Sequence, residues 1–251
     1  MSEQHIEVSR DGAVQTIRMN RPDKKNAITR AMYAAMAKAL TEGDADEAVR
    51  VHLILGVAGA FSSGNDLADF MAVATGGEHG REVYDFLMAL AKAQKPVVSG
   101  VDGIAVGIGT TINLHCDLTL ATPRTNFHTP FVDLGLVPEA GSSLLGPMLL
   151  GRQQAFALLG LGEPFSAERA KAAGMIYDVV PEGELEAAAL SAAQRIAQKP
   201  PQALKIARDF MLGDREALVA RIKAEGEAFR ARLTSDEARN AFMAFMSRKK
   251  A

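Results

Sequence analysis

The sequence contains one cysteine, Cys116, and no tryptophan. A lone cysteine excludes an intrachain disulfide and a cysteine-based metal cluster. The five histidines (His5, His52, His79, His115, His128) never fall into a HExxH or comparable ligand spacing, so no metal is expected. No apolar run approaches the roughly 20 residues of a membrane span. The opening MSEQHIEVSRDG has no basic stretch leading into an apolar one, so the chain reads as cytoplasmic, with no membrane partner. An excess of one charge is missing too. Lys and Arg total 28 against 30 Asp and Glu, a formal charge of −2, which argues against nucleic acid as a partner. Nucleotide signatures are also absent. GIAVGIG at 103–109 lacks the GxGxxG spacing of a dinucleotide site, and GxxxxGK[ST] does not occur. Neither Ser142 nor Ser143 sits in a GxSxG elbow, which disfavours serine-hydrolase chemistry.

What is present is a chain of 251 residues, 48% apolar, long enough to bury a substantial core. HIEVSRDGAVQTIRMNRP alternates apolar and polar residues about Asp11-Gly12 and predicts a hairpin. TRAMYAAMAKALTEG predicts a helix with Thr29 as N-cap and Gly43 just past its end. VHLILGV, KPVVSGV and DLTLAT read as buried strands, separated by turn-rich AGAFSSGND, helical EVYDFLMALAKA and the glycine-rich entry to TTINLHC. Strands alternating with helices predict an α/β fold with parallel βαβ units. Beyond about residue 140 the strand signal fades. ERAKAAG ends a short helix, a new one starts after Pro200-Pro201, and Leu218, Ile222, Phe229 and Leu233 form one stripe of a long last helix. These features divide the chain into an α/β core at 1–190 and a helical extension at 191–251.

Two glycine-containing turns carry the chemistry. AFSSGNDL (60–67) follows a strand, and DGIAVGIGTT (102–111) leads into a helix. Glycine lets a backbone approach a ligand closely, and helix starts offer unpaired N–H groups that can stabilise an oxyanion. A third segment, LGLVPEAGSS (134–143), places one carboxylate, Glu139, in an otherwise uncharged run. Glu139 is either a helix-start charge favoured by the helix dipole or a catalytic base.

NRPDKKNAIT, AFSSGNDL, KPVVSGVDGIAVGIG, CDLTLAT and LGLVPEAGSS, in this order and at these spacings, resemble the crotonase (enoyl-CoA hydratase/isomerase) superfamily. The resemblance implies a spiral of ββα units, a helical C-terminal trimerisation region, and homotrimers or dimers of trimers. It also implies an acyl-CoA thioester substrate, with coenzyme A arriving as part of the substrate and no separate cofactor. The oxyanion N–H groups fall on Asn65 and on Ile108, where the family usually has glycine. Lys25, Ala27, Ser63, Gly64, Asp66, Leu67, Gly107 and Phe131 match positions lining the CoA and acyl path. Met71, Phe86, Leu87 and Leu90 are candidates for an acyl pocket. The two glutamates of the family's hydratases fall on Thr111 and Phe131, neither of which transfers a proton at neutral pH. Glu139 instead matches the acid of the Δ3,Δ2-enoyl-CoA isomerase branch. An isomerase is therefore expected. A hydratase, an aromatic or ring-epoxide CoA isomerase, a thioester hydrolase and a non-catalytic acyl-CoA-binding subunit remain as alternatives.

Overall fold

A computed structural model describes residues 5–66, 68–69 and 80–248, with side chains described as far as residue 244. The hairpin forms as the alternation predicts. Strands β1 (Ile6–Asp11) and β2 (Val14–Met19) pair antiparallel, but Asp11 ends β1 opposite Val14, so the two-residue turn is Gly12-Ala13, one position beyond the expected Asp11-Gly12. Helix α1 (Arg30–Ala45) is capped by the Thr29 hydroxyl, which accepts from the Met32 N–H at 3.3 Å. It runs through Gly43 instead of ending there. A Cβ at Gly43 would lie 1.8 Å from Gln15 Oε1, so this glycine makes room for a side chain of β2.

From β3 onwards the chain repeats one move. Strands β3 (Val51–Leu55), β5 (Val97–Val101) and β7 (Leu118–Ala121) each bend into a short partner, β4 (Ala60–Ser62), β6 (Ile104–Val106) and β8 (Asn126–His128). The long strands join β2 in parallel, and with β10 (Asp178–Val179) they complete a six-stranded sheet of order β1-β2-β3-β5-β7-β10. The short ones build a second sheet, β4-β6-β8-β9, with β9 at Phe165–Ser166. Helices α2 (Glu82–Ala91), α3 (Ile108–Thr111) and α4 (Ser142–Leu159) follow successive units. This is the spiral of ββα turns that the resemblance implied.

Burial explains the layering. Val51, Leu53 and Leu55 of β3 face helix α6 (Leu185–Ala197), whose Leu185, Ala189, Ala192 and Ala193 are buried against the sheet. Ile54, Val97 and Val101 face the main core with Met32, Tyr33 and Met36 of α1 and Phe86 of α2. The boundary drawn at 190 therefore falls inside a helix that packs on the large sheet. After α5 (Ala167–Ala172) and α6 come α7 (Pro201–Leu212), α8 (Arg215–Leu233) and α9 (Asp236–Arg248). The stripe of Leu218 to Leu233 lies on α8, which is not the last helix. A break at Thr234 sends α9 back across the fold. Phe242 and Ala238 of α9 and Leu233 of α8 bury against Phe131, Leu136 and Leu159. No helix among the described residues is long and apolar enough to cross a membrane.

Asn26 fastens the 20–28 loop to the small sheet. It is fully buried at φ +53°, and its amide donates to the carbonyls of Met19, Ala60 and Phe61 at 2.9–3.1 Å. Its Oδ1 accepts from the Arg21 N–H at 2.7 Å. Asn26→Ala takes a donor from three buried carbonyls, of which that of Ala60 keeps the Val57 N–H, takes the acceptor from the Arg21 N–H, and puts a Cβ residue without a compensating amide into the left-handed region. We expect a loss of about 3 kcal/mol in urea unfolding.

Candidate active site

The site is assembled where β4 and β6 end. These strands run parallel, Ala60 beside Ile104 and Ser62 opposite Ala105 with a one-residue register shift between the two pairs, and the turns that follow them lie side by side. Two glycines let them touch. A Cβ at Gly64 (φ +94°) would sit 3.1 Å from the Val106 carbonyl oxygen, and one at Gly109 would sit 2.7 Å from the Ser62 carbonyl oxygen. Most N–H groups here are spent. Gly64 donates to Ser62 Oγ, Asp66 to the Ile28 carbonyl, Gly107 to the His128 carbonyl, and Thr110 and Thr111 to the Gly107 carbonyl. The N–H groups of Asn65 and Ile108 have no acceptor among the described residues. A β-branched residue at 108 is tolerated because the unusual backbone (φ 56°, ψ −119°) falls on Gly107. Ile108 opens α3 with its side chain in the main core.

Glu139 lies two residues before Gly141, the N-cap of α4, and the first turn of that helix holds no acidic residue. The helix-start role belongs to a different carboxylate. Glu225 of α8 accepts from the N–H groups of Gly141 (2.6 Å) and Ser143 (3.0 Å) and from the Ser143 hydroxyl (2.5 Å). Glu139 itself accepts from the Thr111 hydroxyl at 2.7 Å. It is half-buried, open on one side to a cavity and otherwise enclosed by protein. Burial pushes its carboxyl up to about 8, the Thr111 hydrogen bond opposes the rise, and the Glu225 charge adds to it. His115 is buried and donates Nε2–H to the carbonyl of Ala140 at 2.7 Å. Burial brings its pKa down to about 4, so it is neutral at physiological pH.

Two cavities meet at Asn65 and Asp66. The larger, about 1410 Å³, is lined by Arg21, Lys24, Ala27, Ser63, Gly64, Gly107 and Phe131 on the core side and by Phe229 and Phe242 from α8 and α9. The smaller, about 400 Å³, holds Glu139 together with Tyr33, Leu87, Ile222 and Leu233. Tyr33 Oη donates to Asn65 Oδ1 at 2.5 Å, and its ring packs 5.5 Å from that of Phe86. Asp66 is tied to Arg21 at 2.6 Å. Burial works against its charge, but the Arg21 hydrogen bond and charge together with the Ala68 and Asp69 N–H groups outweigh it and keep the carboxyl below its ordinary range.

Of the positions expected from the sequence, Asn65, Ala27, Ser63, Gly64, Asp66, Gly107 and Phe131 line the larger cavity, and Asn65, Asp66 and Glu139 line the smaller. Lys25 lines neither. It is exposed at φ +49°, its carbonyl takes the Ser63 N–H at 2.9 Å, and Lys24 and Arg21 supply the cations of the cleft. Leu67 and Met71 lie outside the described residues. Phe86 and Leu90 are core, while Leu87 reaches the smaller cavity. Sequence reasoning missed Arg21, Tyr33 and Glu225. The last was readable as a charge between Ile222 and Phe229 on an apolar stripe. Tyr33, packed among the methionines of α1, gave no such signal.

Two unused backbone donors on touching turns can take a negatively charged oxygen, and a carboxyl near pH 8 can exchange a proton beside it. Comparisons with known proteins identify the family. The enoyl-CoA hydratase/isomerase family model matches residues 9–251. Enoyl-CoA delta isomerase 2 of Rattus norvegicus is 35% identical over 97% of this chain, which spans 64% of that protein's length. The 2,3-dehydroadipyl-CoA hydratase of Escherichia coli is 28% identical over 96% of this chain and 95% of its own. The solved structure of Pseudomonas aeruginosa OdaA superposes with a TM-score of 0.91 at 43% identity, covering 97% of this chain and 99% of that one. The chain belongs to the enoyl-CoA hydratase/isomerase family.

The raised Glu139 carboxyl has a consequence for stability. Between the ordinary carboxylate range and pH 8 the folded state binds a proton that the unfolded state has lost, so stability declines as pH rises through that window. Glu139→Gln removes this slope while keeping an acceptor for Thr111. We expect its melting temperature to exceed that of the wild type by a growing margin from pH 6 to 9 and to converge with it near pH 4.5. Calorimetric scans across pH measure this directly.

Proposed function

We propose that the chain is an enoyl-CoA isomerase that moves a double bond from C3 to C2 of an acyl-CoA thioester. The observation that carries this reading is the hydrogen-bonded pair of Thr111 and Glu139. At the position where the family's hydratases carry a glutamate, this chain has a hydroxyl that serves Glu139, and Phe131 occupies the other hydratase position. One base remains, and one base suffices for a 1,3-proton transfer.

In this reading the thioester carbonyl accepts from the N–H groups of Asn65 and Ile108. The enolate that forms when the C2 proton leaves is thereby stabilised, each donor contributing on the order of 10²–10³ in rate. Glu139 takes the C2 proton and returns it at C4, leaving the conjugated 2-enoyl thioester. The base must be ionised at the start, and its elevated pKa makes it strong once ionised. The CoA portion lies in the larger cavity, where Arg21 and Lys24 offer positive charge to phosphates and the Ala27 and Ser63 segments line the pantetheine path. The acyl chain enters the smaller cavity past Glu139 towards Leu87, Ile222 and Leu233. Hydration remains the second reading, because a hydratase is among the relatives.

A turnover assay on a 3-enoyl-CoA, following the rise of conjugated-thioester absorbance, tests this. We expect conjugation by the wild type, kcat/KM rising with pH to a plateau above about 8, and a loss of 10²–10⁴ in Glu139→Gln. Incorporation of solvent water into the product in place of conjugation would favour the hydratase.

A further inference from the structure

The turn that carries Glu139 is held by atoms from three other elements. Thr111 of α3 donates to the carboxylate, His115 donates to the carbonyl of Ala140, and Glu225 of α8 takes the N–H of Gly141. Ala140 needs such restraint. Its φ is +59°, a left-handed backbone at a residue with a Cβ, directly beside the base. Glu225 makes the largest contribution to this clamp, three hydrogen bonds in all, and it is 7% exposed. Arg221, one turn earlier on α8, donates to the same Ser143 hydroxyl at 2.9 Å and orients it towards Glu225. All three groups aimed at the Glu225 carboxylate are donors. Only a carboxylate accepts from all of them without presenting a donor of its own.

We propose that Glu225 is the positioning residue of Glu139: from helix α8 it fixes the 139–143 turn and keeps a second carboxylate beside the base. The proposal rests on Glu139 acting as the proton carrier. Glu225 acts through the turn and through its charge, and it does not line the cavity that holds Glu139. The groups acting on Glu139 are Tyr33 from α1, Thr111 from α3 and Glu225 from α8, and Arg221 acts on Glu225. Arg30, Arg81, Lys223 and Arg230 line the same cavity and supply positive charge there, while Asp66, Asp69 and Glu227 line it with negative charge. Against this mixed surround, Glu225 is the carboxylate held within the turn's own hydrogen-bond network, and its charge raises the Glu139 carboxyl. Removing that charge makes Glu139 easier to ionise, and removing the clamp misplaces it.

The experiment is a pH titration of the protein labelled with 13C at the glutamate side-chain carboxyl, read by NMR in the wild type and in Glu225→Gln and Glu225→Asp. The Glu139 resonance is identified by its disappearance in Glu139→Gln. We expect a wild-type midpoint near 8. The midpoint should fall in both Glu225 variants, more in Gln than in Asp, and the high-pH plateau of kcat/KM should drop on the order of 10²-fold. A purely structural Glu225 would weaken folding without moving the midpoint. An unchanged Glu139 midpoint, in whichever variant melts cooperatively like the wild type, overturns the proposal. If Glu225→Gln does not fold, Glu225→Asp decides alone. Absence of wild-type turnover on 3-enoyl-CoA rejects the isomerase reading, while the NMR midpoint still answers the question about Glu225.

Discussion

Everything about the site depends on two backbone segments touching. The turn after β4 and the turn after β6 approach so closely that a Cβ at Gly64 or Gly109 would press into the other segment's carbonyl. Parallel pairing of the two strands puts their ends at the same height, and buried hydrogen bonds keep them there. Ser62 Oγ donates to the Asn26 carbonyl and accepts from the Gly64 N–H, so the 20–28 loop, β4 and the Asn65 turn form one continuous chain of donors and acceptors. With those groups committed, the N–H groups of Asn65 and Ile108 are without an acceptor among the described residues. A backbone arrangement of this kind is indifferent to the side chain at 108, which is why isoleucine stands where glycine is usual in the family.

The two glutamates near α4 show how position decides the state of a carboxyl. Glu225 meets three donors at a helix N-terminus and the Arg221 charge, which oppose the upward push that burial gives its carboxyl. Glu139 meets one hydroxyl, apolar neighbours and the charge of Glu225. Although only two residues separate Glu139 from the helix cap, it gains little from the helix and remains available to hold and release a proton. The acyl chain proposed for the smaller cavity would displace water from the same surface, which would raise the cost of ionising Glu139 further.

Much of the fold was legible in the sequence. The alternation about Asp11-Gly12, the Thr29 cap and the buried runs at 51–55 and 97–101 each follow from a local rule that tertiary packing did not overrule. The small sheet was not legible as strands, because β4, β6 and β8 have three residues each and show no period. Gly43 misled for a different reason: its role is to admit Gln15, a contact 28 positions away in sequence. For the site, the motif order located the two touching glycine turns and Glu139 but not their supports. Tyr33 and Glu225 act across the fold, and no spacing within one segment registers such contacts. Lys25 was named by its match to a family position, whereas the 3-10 turn at Pro22–Lys24 and the left-handed backbone of Lys25 leave Lys24 and Arg21 lining the larger cavity.

The return of α8 and α9 onto the core also sets an order of events during synthesis. Gly141 and Ser143 find their partner only when residue 225 has emerged from the ribosome, and Phe131 is covered only when residue 242 has. Until then the turn bearing Glu139 carries a left-handed alanine with one of its restraints missing. Contacts of such sequence separation are slow to form. A nascent chain can thus own a finished sheet and a finished pair of touching turns while the turn bearing Glu139 is still unfastened, so the surround of that carboxyl is the last part of the cleft to be completed as the chain folds.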